Sequence, residues 1–298
     1  MAEPADTGSP GWRLPPDVDA VVAAVLQDGH LVSPSYFAHP RLGLVYRAFV
    51  IAQVLDPVMQ TPQALALSGE LPGRVAAGIL SRFGLTGPGS EDWVQVYEHL
   101  GGVVAAAVTI ARRMRLDVAM RRTIRSAALL HDAAKRRDVE RHGPLASSLA
   151  NEGPELTTAM RAAGYPAGTI RAAVNTGRQD RVFSDETARR QSITGKGIAA
   201  AVVALADARC IGGQFCSLDE AQADYLARKA DAESQHYFRF HWRRYYDSVQ
   251  AYLTAQAPWL RLDLTPADIY RDTVLPEVLG LRSTLADRER FALDGRRG

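Results

Sequence analysis

Ala127-Ala-Leu-Leu-His-Asp-Ala-Ala-Lys135 is a run of small apolar residues that ends in an adjacent imidazole and carboxylate, with a lysine one helical turn beyond. Its apolar half suits a buried helix, and periodicity gives no reason to place His131 and Asp132 at its end. A local chemical demand does. The preceding residues read as helix from near Asp117 through Ile124 and Ala127 to Leu130, His131 and Asp132, so the polar pair points toward the same interior as the apolar stripe.

Working outward, the same device recurs. Upstream, Gly87-Pro-Gly-Ser90 is a loop before a helix, with Ser90 as N-cap and Glu91 and Asp92 in the first turn. That helix carries His99, Val103, Ala106, Ile110 and Met114 on one stripe, which puts His99 on the buried side. Downstream, a strongly apolar helix from Gly197 through Ile198-Ala-Ala-Ala-Val-Val-Ala-Leu-Ala206 ends in Asp207. Two imidazoles and two carboxylates are thus set in or at the ends of apolar helices. Even a neutral polar group buried without a partner costs about 2–7 kcal/mol, and a charge costs more. A shared divalent cation would remove that cost. Two nitrogen and two oxygen donors leave room for water in an octahedral shell, which suits Mn, Fe, Co, Ni or Mg better than a closed zinc site.

The rest of the chain reads as all-α, since no alternating strand pattern of useful length occurs. Residues 1–16 are rich in Pro, Gly, Ser and acidic side chains and read as a disordered leader. Residues 17–90 form a helical N-terminal extension, with stripes Val18, Val21, Val22, Val25 and Leu42, Val45, Phe49, Ala52 punctuated by Gly and Pro. The core occupies 91–213. Within it, Arg136 to His142 reads as a charged loop, Gly143-Pro144 opens a short helix, Glu155–Ala163 and Ala167–Asn175 read as helices, and Arg178–Gln191 as irregular. Residues 214–298 form a helical C-terminal extension, with one long helix over Leu218–Ala255 bearing the stripe Phe238, Trp242, Tyr245, Val249, Tyr252, then terminal helices over 263–279 and 283–292.

A formal net charge of +2 gives no reason to expect nucleic acid or an anionic membrane as partner. Cys210 and Cys216 are the only cysteines, so no disulfide framework is implied and both are read as free thiols in a reducing compartment. No positively charged start followed by an apolar run marks a signal peptide, and no apolar stretch reaches the roughly 18 residues of a membrane span. A cytoplasmic, soluble protein is expected.

The series His99, His131-Asp132, Asp207 resembles the HD superfamily of metal-dependent phosphohydrolases. Glu98-His-Leu-Gly-Gly is similar to that family's first-histidine helix, Leu129-Leu-His-Asp-Ala-Ala-Lys135 to its central motif, and Val203-Ala-Leu-Ala-Asp207 to its last-aspartate helix, over about Trp93 to Arg209. The resemblance implies an all-α HD domain in which His99, His131, Asp132 and Asp207 bind a divalent metal and Lys135 contacts a substrate phosphate. It implies a hydrolase acting on phosphoester bonds through a metal-activated water, with a nucleotide or similar small phosphorylated molecule as substrate. Asp132, Lys135 and Glu98 are the catalytic candidates, with Asp138 an alternative to Glu98 for proton transfer. Arg178 and Arg209, and Arg181 beside them, are candidate phosphate contacts. His142 in His-Gly-Pro-Leu-Ala matches a further family histidine and is a candidate second-metal ligand, whereas the next such position holds Asn175, a poor ligand. One metal is therefore expected.

Two rival functions remain open. HD-type di-iron oxygenases need the full set of extra histidines, and a non-catalytic regulatory module would retain the site as a vestige. Two further motifs are set aside. Thr194-Gly-Lys-Gly197 lacks the first glycine and final hydroxyl residue of a phosphate loop, and no strand precedes it. His236 to Tyr246 interleaves aromatic and basic residues as single-strand binders do, but its aromatics fall at helical spacing, which favours a packing helix.

Overall fold

The computed structural model describes residues 79–80, 82–83, 94–142, 153–174, 186–211, 214–229, 232–262, 264–274 and 276. The expected leader, nearly all of the N-terminal extension, the Ser90 cap, the Gly143-Pro144 helix, Asn175, Arg178, Arg181 and the helix over 283–292 lie outside these residues.

The fold is all-α and is organised around α1, Val94–Arg113. From Leu100 to Ala111 every residue of α1 is buried, so the expected stripe is one side of a helix that is enclosed all round. Its sequence permits this, because Gly101, Gly102, Ala105, Ala106 and Ala107 keep the cylinder thin enough for neighbours on several sides. One polar side chain in this stretch, Thr109, is satisfied by Ala105 O at 2.8 Å and by Thr273 Oγ1 at 2.8 Å. The helix ends where Arg115 takes a left-handed conformation (φ 57°), with Arg115 N–H donating to Arg112 O and Leu116 N–H to Ala111 O. Gly164 (φ 82°) closes a later helix by the same pair of bonds, to Arg161 O and Met160 O. Arginine carries a steric cost in this conformation that glycine does not. Arg115 is exposed, and its guanidinium lies 5.5 Å from the Trp259 ring, a weak offsetting contact. Arg115→Gly should therefore raise stability by about 0.5–1 kcal/mol, read as a thermal midpoint higher by about 2 °C.

Helix α2, Val118–Leu130, is capped by Asp117, whose carboxylate accepts from Met120 N–H at 2.7 Å. It stops at Leu130, and His131–Ala134 form a turn, so the His-Asp pair stands just past the helix and not within it as periodicity suggested. Lys135–His142 then form α3, where a loop was expected. These eight residues contain no Gly or Pro and are supported by an Arg136–Glu140 pair at 2.7 Å, but with Val139 as their one aliphatic residue they show no stripe to read. Gly153–Ala162 (α4) and Ala167–Val174 (α5) agree with expectation to within two residues.

Helix α6, Glu186–Ala208, begins inside the stretch expected to be irregular. It is two helices joined at Gly197, whose φ 85° and ψ 169° lie in a region open essentially to glycine alone. The apolar half does begin at Gly197, as expected. A two-residue hairpin follows, β1 Cys210–Ile211 against antiparallel β2 Gln214–Phe215, too short to leave an alternating signature.

The single long helix expected over Leu218–Ala255 is broken into α7 (Leu218–Arg228), α8 (Ala232–Tyr237), a π-helical turn (Phe238–Trp242) and α9 (Arg243–Gln256). No Gly or Pro announces the breaks. Side chains absorb them: Gln235 donates to Leu226 O at 2.6 Å and Lys229 O at 2.5 Å, and Gln222 donates to Phe238 O at 2.7 Å. Phe238, Trp242, Tyr245 and Val249 are buried as the stripe predicts, and Tyr252 is half-buried. Pro266–Ile269 (α10) and a second π-helical turn, Tyr270–Val274, return to α1, where Arg113 pairs with Asp272 at 2.8 Å and Asp268 at 3.0 Å.

Helix α1 packs on α2, α6, the hairpin and the terminal π turn, while α6 packs on α2, α5 and α9. Buried residues of the C-terminal helices belong to the same hydrophobic core as those of α1, α2 and α6. No helix among the described residues is long and apolar enough to cross a membrane.

Candidate metal centre

Three chain segments deliver four side chains to one point. His99 comes from the second turn of α1, His131 and Asp132 from the turn after α2, and Asp207 from the last turn of α6. His99 Nε2 lies 3.0 Å from Asp207 Oδ1 and 3.8 Å from Asp132 Oδ2, and His131 Nε2 lies 3.3 Å from Asp207 Oδ1. The two imidazole centroids are 5.4 Å apart. Among the described residues, His99, His131 and Asp132 are the group of His, Cys, Asp or Glu donors close enough together to share a cation, and Asp207 touches both imidazoles.

The position of each group follows from the local fold. His131 follows the last helical residue of α2, so its Nδ1 meets the free carbonyl of Ala128 at 2.7 Å. Donation from Nδ1 to that carbonyl turns Nε2 toward the carboxylates, the arrangement that orients a ligating imidazole. Lys135 starts α3, one turn on, and donates to Asp132 Oδ2 at 3.0 Å. The hairpin buttresses the other side, where the Cys210 thiol contacts His99 O at 3.8 Å.

Exposure is graded across the cluster. The His131 side chain is 2% exposed, Asp132 22% and Lys135 32%, so the site is sealed at His131 and open on the side of the carboxylates and the lysine. A ligand reaching the cluster must enter there.

The electrostatics show why these groups tolerate burial together. Burial opposes a charge on His131, but the carboxylates of Asp132 and Asp207 outweigh it and raise its pKa to about 9. Burial likewise opposes ionisation of Asp132, yet Lys135 first and then His131 hold it below its ordinary value. Asp207 is also held low, by the charge and hydrogen bond of His131 and by His99, against its own burial. In the metal-free protein a proton on His131 therefore stands where a cation would relieve the same two carboxylates. The folded pKa of about 9 exceeds the unfolded value of 6.5, so this contribution to stability is present below pH 6.5 and is lost as pH rises through 9. Urea unfolding of chelator-treated protein should show a loss on the order of 3 kcal/mol between pH 6 and pH 9.5, and metal-loaded protein should lack that loss.

The donor set fits a divalent cation. Donors held about 2.1 Å from an ion lie about 3 Å apart when adjacent, and the observed N–O separations of 3.0, 3.3 and 3.8 Å fall near that spacing.

Not every expected site residue joins the cluster. Arg209, expected at a phosphate, is 5% exposed and its guanidinium donates to Cys216 O at 3.0 Å, Leu262 O at 2.6 Å and Leu264 O at 3.0 Å, while lying over the Phe215 ring. This corrects its assignment. It clamps the hairpin and the segment leading to α10 onto the end of α6, two residues beyond Asp207, and so supports the site without facing a substrate. Glu98, Asp138 and His142 lie in α1 and α3, but their side chains are outside the described residues, as are Arg178 and Arg181. Thr194 to Gly197 forms the break in α6, with Lys196 packed against Tyr245, at the opposite end of the apolar helix from Asp207. Tyr246 of α9, the end of the aromatic and basic stretch from His236, is fully buried and packs on Trp242 at 4.7 Å, the packing role its helical spacing predicts.

No family model matches the chain, and no curated protein or solved structure matches it.

Proposed function

We propose that this chain is a metal-dependent phosphohydrolase with an HD-type site, acting on a nucleotide or another small phosphoester. The observation that carries this reading is the convergence of His99, His131, Asp132 and Asp207 on one point, with the Lys135 ammonium 3.0 Å from Asp132 on the open side. A divalent cation at those four donors would supply Lewis acidity toward a phosphoryl oxygen and a water that is nucleophilic at neutral pH.

The residues divide the remaining work. His131 is fixed in ring orientation by Ala128 O, so its Nε2 is presented without a conformational search. Asp132 is shared between the donor cluster and Lys135, which keeps the ammonium beside the site while it awaits an anionic partner. A lysine here acts as a point charge, suited to a phosphate whose oxygens present no fixed fork. Two carboxylates at the mouth would repel that phosphate, and Lys135, with a cation held by the four donors, would offset them. Asn175, a poor ligand at the position where a further histidine would be needed, is what favours a single-cation hydrolytic site over a di-iron oxygenase.

The test is elemental analysis of protein purified without added metal, followed by release of phosphate from a panel of nucleotides and simple phosphomonoesters with Mn, Co, Ni, Fe or Mg. Stoichiometric metal with turnover that a chelator abolishes is the expected result. Bound metal without turnover across the panel would sink the hydrolase reading, and iron with oxygen consumption would favour the oxygenase.

A further inference from the structure

Lys135 is the first residue of α3, so what fixes α3 also fixes the ammonium beside the donor cluster. The start of the helix is tied to the preceding turn, with Lys135 N–H donating to Asp132 O at 3.0 Å and Lys135 Nζ to Asp132 Oδ2 at 3.0 Å. Both bonds lie within residues 132–135, and the direction in which the helix leaves the turn is set by contacts further along. Apolar packing constrains it weakly, since Val139 is the one aliphatic residue of α3 and is only half-buried. Arg137 supplies what that composition lacks.

Its guanidinium meets two other segments at once. Nη1 donates to Glu155 Oε2 at 2.9 Å in the first turn of α4, Nη2 donates to Arg82 O at 2.8 Å, and the guanidinium carbon lies 4.6 Å from the centre of the Phe83 ring. Phe83 is 2% exposed and belongs, with Ile79 and Leu80, to the same hydrophobic core as α1 and α2, so its ring is a fixed point on which α3 is docked. A cavity of about 290 Å³ lined by Arg82, Phe83, Arg137, Pro154, Glu155 and Thr158 adjoins the junction, and among the described residues the guanidinium bridges it. An exposed ion pair such as Arg137–Glu155 contributes little to global stability. It nevertheless sets an orientation here, because a planar fork that lies on a buried ring while donating to two separate acceptors satisfies all three contacts in one pose.

We propose that Arg137 is a positioning residue for Lys135: it docks α3 on Phe83, on the Arg82 carbonyl and on α4, and so holds the Lys135 ammonium where it meets a phosphoryl oxygen on the open side of the site. The proposal rests on the phosphoester reading above. It also gives the chain before α1 a part in the site, since Arg82 and Phe83 act on the ammonium through Arg137.

Two variants of the full chain break the docking from opposite sides. Arg137→Met keeps the length of the side chain and removes the guanidinium, and Phe83→Leu keeps an apolar side chain in the core and removes the ring face. Calorimetric titration with Mn²⁺, then with inorganic phosphate on the Mn²⁺-loaded protein, separates the roles. The expected result is Mn²⁺ affinity within about twofold of wild type in both variants, because none of the four donors lies on α3, with phosphate affinity weaker by about fivefold or more in both. A change that only lowered stability would leave the phosphate affinity of the folded protein unmoved. If wild type binds phosphate and either variant binds it equally, the Arg137 assignment is overturned while the phosphohydrolase reading stands; loss in Arg137→Met alone would make that arginine a direct phosphate contact. A parallel loss of Mn²⁺ affinity would mean that the whole turn is disturbed, and overturns the assignment equally. If Mn²⁺-loaded wild type binds no phosphate, the assignment and the phosphohydrolase reading fall together.

Discussion

Asp132→Ala should yield a folded chain that no longer retains a divalent cation, with phosphoester turnover lower by roughly a thousandfold or more. The carboxylate is the one group that touches both halves of the site, accepting from Lys135 Nζ at 3.0 Å and lying 3.8 Å from His99 Nε2. Its loss removes a donor and frees the lysine. The fold should survive, because the Asp132 side chain is 22% exposed in the turn after α2 and is no part of the apolar core. The diagnostic measurement is thermal unfolding with and without Mn²⁺. Wild type should gain stability with metal by the mass-action term, whereas Asp132→Ala should melt near chelator-treated wild type and gain nothing. A variant that still binds metal stoichiometrically, or that loses its fold without metal, would contradict this account of the site.

Arg209→Met should be among the most destabilising single changes, at about 3–5 kcal/mol by urea unfolding. Three carbonyls, of Cys216, Leu262 and Leu264, lose their donor together; the bond to Leu264 is buried and the other two part-buried, and an unsatisfied buried acceptor costs about 1–3 kcal/mol. Arg209→Lys should recover part of the loss, since an ammonium on a flexible stem cannot address three separated carbonyls as the guanidinium fork does. This distinguishes the structural clamp from the phosphate contact that the residue's place near Asp207 suggested. A phosphate contact would lose turnover with stability unchanged. Because the clamp secures the segment just past Asp207, metal affinity should fall alongside stability.

The parts of this protein that were legible in advance are those in which a periodic apolar pattern met a chemical anomaly. His99, His131, Asp132 and Asp207 stood out because each puts a charged or ligating group where burial would otherwise be costly, and all four are found within contact of one another. The stripe through Trp242 and Tyr245 likewise marked a buried helix face. Elements without such a pattern were misread. Helix α3 has no apolar stripe, and the breaks in the C-terminal helix carry no Gly or Pro, because Gln222 and Gln235 satisfy the freed carbonyls from neighbouring segments. Arg209 illustrates the same limit. Nothing in its neighbours along the chain reveals that its partners are the carbonyls of residues 262 and 264.

By itself the sequence determined the all-α class, the buried stripe of α1, and which four side chains stand out as a group. Each follows from local periodicity or from the cost of burying charge, and both are properties of a residue and its near neighbours. Tertiary structure alone decided that the four side chains meet, that His131 is the sealed end and Lys135 the open one, and that Arg209 clamps backbone carbonyls of residues 216, 262 and 264. The cluster joins segments 32 to 108 residues apart, set by which helices pack on α1 and α6, and no local pattern encodes them.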